Sequence, residues 1–375
     1  MAGPRLLLLV PETSESSSLA PNGSSNDVAC LEHYLEMRHV DFTREALPRQ
    51  TRSLLARLKH IPAARFDVII LSVPGSHPRA LLRLRRAAPH ALILFRAHNA
   101  EFLHRLDWMA GADEFRAKVW LAMRAVRALL GDLVTVWIGS NRVLAISEDD
   151  ARRYWMRMGR AGRIVVCPYF DTRPAARVGA NKSLLCVGLG AVMRNPIIDD
   201  ATETFFRLVG QLQGRLPGWR FACTGDMDPR AAVPDRVQRL GLLDSPHTLL
   251  EGARAVAVLT DLGRGFKTKI LDAVMAGCWV LVTRKLYLRL PDPVRPFCRV
   301  VDPASVEDFA TKLAECGSTL PDGEANEALR TRAFEALDAV LALPTGRSGR
   351  VPGLAELKYR DQVKDEATLR KIRQE

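Results

Sequence analysis

The chain has 375 residues, enough for two or three domains with sizeable cores, and its 47% hydrophobic and 26% charged content is that of an ordinary globular protein. A formal net charge of +12 calls for an anionic partner. Arginine is spread rather than blocked, and no zinc-finger spacing or aromatic–basic RNA motif accompanies it, so phosphorylated substrates or an anionic membrane face are expected and nucleic acid is not.

No run of about 18 uncharged apolar residues occurs, so no membrane-spanning helix is expected. The apolar core of Met1–Val10 is too short for a signal peptide and reads as a first strand. Cys30, Cys167, Cys186, Cys223, Cys278, Cys298 and Cys316 are odd in number and form no C-x-x-C pair. Cys167, Cys186 and Cys223 sit in apolar strand-like runs and read as buried thiols in a reducing, cytoplasmic compartment, without disulfide or metal use.

Apolar strand-like runs alternate with amphipathic stretches from end to end, the α/β signature. The spacing predicts a strand at Arg5–Val10, a serine-rich loop at Pro11–Asn26, and helices at about Asp27–His39 and Arg49–His60. A strand at Phe66–Val73, a basic helix at Arg79–Ala88 and a strand at Ala91–Arg96 follow. The basic helix reads as a solvated face or as a dock for anionic lipid. One long helix is expected over about Asp113–Ile138, where Phe115, Val119, Ala122, Val126, Leu129, Leu133 and Trp137 keep helical spacing. Strands at Arg142–Ile146 and Arg163–Cys167 close the half, with Ser147 as an N-cap between them.

Polar residues 171–182 read as a linker, giving domains at 1–170 and 183–325, with a helix and basic tail over 326–375. The pattern then restarts with strand Ser183–Gly188, helix Ile197–Leu216 and strand Trp219–Thr224. A strand at Arg299–Asp302 and helices at Ser305–Cys316 and Glu324–Leu341 finish it.

Chemistry concentrates between Leu259 and Val282. A buried strand ends there, Gly263 and Gly265 follow, a helix opens at about Phe266 with Lys267 and Lys269 in its first turns, and a second strand starts at Trp279. Glycines let the backbone approach a ligand, and free N–H groups at a helix start attract anions. Cations there oppose the macrodipole unless a bound anion such as a diphosphate reverses the judgement. Asp272, one turn beyond Lys269, suits ribose hydroxyls. Merely solvated lysines in an ordinary βαβ unit are the alternative.

G-R-G-F-K-T-K-I-L-D-A-V-M-A-G-C-W-V-L-V closely resembles the donor-site signature of retaining GT-B glycosyltransferases, family 4 in particular. R-A-H-N-A-E at Arg96–Glu101, L-A-I-S-E-D-D-A at Leu144–Ala151, V-V-C-P-Y-F-D at Val165–Asp171, L-L-C-V-G at Leu184–Gly188 and W-R-F-A-C-T-G at Trp219–Gly225 resemble further motifs of that family, in the family's order. The resemblance implies two Rossmann-like doubly wound domains facing a cleft, with a nucleotide-diphosphate sugar held mainly by the second. Anomeric configuration would be retained, and neither metal nor cofactor would be needed. It implies catalytic roles for His98, Arg194 and Lys267. Donor contacts would come from Gly188, Gly225, Gly263, Arg264, Gly265, Phe266, Thr268, Lys269 and Asp272, and acceptor contacts from Asn99 and Glu101. The acceptor would be a glycan or a lipid-linked glycan in surface polysaccharide or glycolipid assembly, at the inner membrane face.

Three departures stand out. Leu189 occupies the place of a family cation, Arg264 that of an acid, and the double-glycine loop after the first strand is missing. They keep open a non-catalytic GT-B-like protein that binds a glycan or nucleotide, and an epimerase of the same fold is a weaker alternative. His98 can equally be a hydrogen-bonded structural histidine, and Glu101 can simply begin the next helix. A dinucleotide-binding dehydrogenase is excluded because Gly188-Leu189-Gly190 lacks the third glycine, and a serine hydrolase because no G-x-S-x-G elbow exists.

Overall fold

A computed structural model of the chain describes residues 4–12, 23–48, 50–112, 114–173, 182–190, 195–226, 232–243, 245–321 and 324–342. The first half runs β1 (Leu6–Pro11), α1 (Gly23–Met37), β2 (Phe42–Leu47), α2 (Thr51–Arg57), β3 (Val68–Leu71), α3 (Pro78–Ala87), β4 (Leu92–Ala97), α4 (Glu101–Ala110), α5 (Phe115–Val134), β5 (Arg142–Ala145), α6 (Glu148–Arg153) and β6 (Ile164–Val166). The second runs β7 (Ser183–Leu189), α7 (Pro196–Gly210), β8 (Arg220–Thr224), β9 (Val237–Gly241), α8 (His247–Gly252), β10 (Ala253–Val258), α9 (Thr268–Met275), β11 (Trp279–Thr283), α10 (Arg284–Tyr287), β12 (Cys298–Val301), α11 (Val306–Ser318) and α12 (Ala325–Leu341).

Each half builds one six-stranded sheet, ordered β2-β1-β3-β4-β5-β6 and β12-β11-β10-β7-β8-β9, and its neighbouring strands pair in parallel. Interior strands are buried on both faces: all six residues of β1 and all five of β11 are buried, as a sheet covered by helices on both sides requires. Each sheet has its own apolar core, one around Leu7, Ile69, Phe95 and Trp155 and the other around Phe205, Phe221, Leu281 and Phe309. Both sheets lie in one compact unit that ends at Ala333, and a second unit begins at Phe334. All seven cysteines are free and buried.

Several sequence expectations need correction. The serine-rich loop was expected to run to Asn26, but α1 already begins at Gly23. The helix expected over 113–138 is α5 alone, preceded by a separate α4 and continued by a wider π-type turn at Thr135–Gly139. The helix expected to reach Leu216 stops at Gly210, and residues 213, 214 and 216 take left-handed backbone conformations that end it. Strands β2 and β9, both sheet edges, carry Thr43-Arg44-Glu45 and Gln238-Arg239 and show no apolar run. The central part of the expected linker (174–181) and the basic tail beyond 342 lie outside the described residues.

The strand order reverses between β1 and β3 in the first sheet and between β7 and β10 in the second. Ligands of open parallel sheets settle beyond the strand ends at such reversals. The glycine loop, which follows β10, stands at the second of these points.

Candidate functional site

The loop from Leu259 to Lys267 is held from behind. Arg289 donates to the Gly263 carbonyl and to the Asp261 carbonyl, both at 2.9 Å. The Thr260 hydroxyl bonds Asp200 Oδ2 at 2.5 Å and accepts from Leu262 N at 3.0 Å. Gly263 and Gly265 take φ of +85° and +76°, which only glycine adopts without strain. A Cβ on Gly265 would also overlap the Asn99 side chain and come within 2.6 Å of the His98 carbonyl.

These turns aim both glycine amides at the first sheet, where carboxylates meet them. Gly263 N–H donates to Asp107 Oδ2 at 3.0 Å, and Gly265 N–H to Asp150 Oδ2 at 2.9 Å. Arg264, between them, lies 3.2 Å from Asp107 and 3.8 Å from Asp149. Asp150 also accepts from Ala100 N–H at 3.1 Å, and burial pushes its carboxyl up to about 6. The amides are thus an anion site satisfied by the protein's own carboxylates. Phe266 packs against Tyr169 with its ring tilted by 35° and ring centres 5.7 Å apart.

Lys267 is the N-cap of α9, and its ammonium lies against Gly263. Burial, then Lys269 and Arg289, push its pKa down to about 8. Lys269 is pushed down to about 8 by burial too, and donates to the Leu189 carbonyl at 2.8 Å. Two desolvated ammonium groups at one helix start oppose the macrodipole, and among the described residues no carboxylate bonds either of them directly. Thr268 is the first residue of α9, and Asp272, one turn on, pairs with Arg173 at 2.6 Å. Arg173 also forks onto Asp171.

On the first-half side of the loop, the chain beyond β4 delivers the turn His98-Asn99. His98 is nearly buried, with Nε2 3.4 Å from Ser72 Oγ and Nδ1 3.9 Å from Asp27 Oδ2. Burial lowers its pKa, which favours the neutral ring. Beneath it, Asp27 receives two bonds from Arg96 at 2.9 and 2.5 Å. With its nitrogen toward the loop, the Asn99 amide donates to Arg264 O at 3.1 Å. Glu101 begins α4 and pairs with Arg105 at 3.3 Å.

The structure therefore brings together His98, Asn99, Gly263, Arg264, Gly265, Phe266 and Lys267. Gly188 lies inside β7, where a Cβ would sit 2.8 Å from the Phe205 ring, so packing alone demands glycine there. Gly225 turns the chain beyond β8 with φ of +110° and donates to Gly241 O at 2.7 Å. Arg194 lies outside the described residues. Sequence reasoning missed Asp107, Arg173 and Arg289, and touched Asp149 and Asp150 only as part of the motif at Leu144–Ala151. Nothing local marks Asp107 or Arg289, because their partners lie 156 and 26 residues away. Among the described residues no cluster of His, Cys, Asp and Glu could hold a metal ion.

No family model and no curated protein matches the chain. Solved structures do. Sucrose-phosphate synthase from Thermosynechococcus elongatus is similar over 90% of this chain and 95% of its own, with a TM-score of 0.61 at 12% identity. A glycosyltransferase from Rickettsia africae covers 91% and 97%, with a TM-score of 0.55 at 12% identity. HepE from Anabaena, solved with UDP and glucose, covers 90% and 95%, with a TM-score of 0.53 at 14% identity. At these identities the likeness is one of fold: two parallel six-stranded sheets with flanking helices in the GT-B arrangement.

Proposed function

We propose that the protein is a glycosyltransferase whose donor is a nucleotide-diphosphate sugar, bound where the glycine loop meets α9. One observation carries this reading. Two glycine amides and the half-buried Lys267 lie together at the strand-order reversal of the second sheet, and the groups now on the amides are the protein's own carboxylates. A diphosphate would take the amides of Gly265 and Phe266 and offset the charge of Lys267, and Asp272 would turn from Arg173 to the ribose. Developing charge on the leaving diphosphate is where such preorganised donors act most. HepE, solved with UDP and with UDP-glucose on the same fold, supports the donor class. The sequence motifs support retention of configuration, a part for Arg194 beside the leaving phosphate and for His98 beside the sugar, and a glycan or lipid-linked acceptor.

A second reading, binding without transfer, is favoured by Arg264, which clamps the loop to Asp107 and Asp149. Donor hydrolysis or sugar transfer that is lost in Arg194→Ala would exclude it.

A melting-temperature screen with uridine, guanosine and adenosine diphosphates and their sugars tests the donor site. At 100 times Kd a ligand adds about 2.7 kcal/mol to stability. One nucleotide series is expected to raise the midpoint by several degrees. A flat response across all three bases would remove the proposal.

A further inference from the structure

The row of apolar side chains on α5 does not serve the core. Leu121, Ala125, Gly131 and Asp132 face inward, while Phe115 is 80% exposed, Trp120 50%, Met123 58%, Val126 55% and Leu130 58%. Val119 joins them, and Trp137 and Ile138 extend the row past the end of the helix. A solvent-facing apolar row of this length marks an interaction surface.

Its chemistry selects the partner. The charged side chains between Phe115 and Ile138 are Arg116, Lys118, Arg124, Arg127 and Asp132; the four basic ones are exposed, and Asp132 is buried. Arg124 lies over the Trp120 ring at 4.4 Å and Arg160 over the Trp137 ring at 4.3 Å. Each tryptophan thus presents an apolar body with a cation beside it, the composition found at membrane–water interfaces. Beside α5, helix α3 adds exposed Arg79 and Arg86. A second copy packed row on row would set the four α5 cations against their own kind, and the one acid between Phe115 and Ile138, Asp132, is buried. No helix among the described residues is long and apolar enough to cross a membrane, so any docking is in the plane of the surface.

We infer that α5 lies in the surface of an anionic bilayer, with Phe115, Met123, Val126 and Leu130 sunk among the acyl chains and Arg116, Lys118, Arg124 and Arg127 at the headgroup phosphates. This rests on exposed side chains of one helix and stands independently of the donor site.

Flotation of the full chain with vesicles tests it. Wild type is expected to float with vesicles of phosphatidylcholine and phosphatidylglycerol at low salt, weakly with phosphatidylcholine alone, and less as salt rises. Met123→Asp with Val126→Asp should lower partitioning by about tenfold or more without changing the melting midpoint, since both positions are exposed. Arg124→Glu with Arg127→Glu should weaken it chiefly on anionic vesicles. Three outcomes would overturn the inference: no flotation on anionic vesicles, flotation unaffected by the α5 changes yet lost in Arg79→Glu with Arg86→Glu, or a wild-type dimer that the Met123 and Val126 changes make monomeric.

Discussion

Asp27→Ala is expected to destabilise the protein by about 3–5 kcal/mol, the cost of leaving a buried ion unpaired. Arg96 is 1% exposed and makes three bonds, two to Asp27 and one at 2.6 Å to the Cys167 carbonyl. Removing the carboxylate strands the guanidinium under the sheet with a single acceptor. Burial pushes the Asp27 carboxyl up, but the charge and hydrogen bonds of Arg96, with His98, outweigh it, so its net shift is down. The sign follows from linkage. A carboxyl depressed in the folded state contributes stability that is present above its ordinary value near 3.8 and is lost as pH falls through the folded value. Denaturant midpoints of wild type and Asp27→Ala should therefore be far apart at neutral pH and converge in strong acid. Asp67→Ala is the control, because its pair with Arg5 is exposed and its loss should hardly move the midpoint.

Lys267→Met is expected to lower nucleoside diphosphate affinity by about 10- to 150-fold, since a bond to a charged group contributes about 1.5–3 kcal/mol and 1.4 kcal/mol is tenfold. The empty protein should be no less stable for the change, because the substitution keeps bulk and removes a desolvated charge. That split separates a ligand role from a structural one. With a folded value of about 8 against an ordinary 10.5, the unfolded chain binds more protons between the two. Stability of the empty protein should rise with pH across that window, and the penalty is fully present below about 8. A diphosphate favours the charged ammonium, so affinity should fall as pH rises through about 8 in wild type and less in Lys267→Met. Titration calorimetry at pH 7 and 9 reads both effects.

The buried strands and the glycine loop were legible because parallel strands covered on both faces become unbroken apolar runs, as in Leu6–Val10 and Trp279–Thr283. Edge strands β2 and β9 were not, since one side of each meets water and their residues are charged or polar. The apolar positions of α5 kept helical period, which predicted the helix and not its surroundings. Periodicity reports that a face is apolar and says nothing of what covers it. Within the site, the loop's own conformation followed from Gly263 and Gly265. Its partners did not, because Asp107, Asp150 and Arg173 reach it only through the packing of elements far apart in the chain. Arg264, which stands where the resembled family has an acid, gains a physical setting: it faces Asp107 and Asp149, so a cation suits this loop where an acid would be repelled.

The most direct measurement is a crystal structure of the full chain with the nucleoside diphosphate that raises its melting midpoint most. The expected result places diphosphate oxygens within hydrogen-bonding distance of Gly265 N–H, Phe266 N–H and Lys267 Nζ, with Asp150 displaced from Gly265 and Asp272 turned from Arg173 to the ribose. A nucleotide bound elsewhere, with Gly263 and Gly265 still held by Asp107 and Asp150, would contradict it.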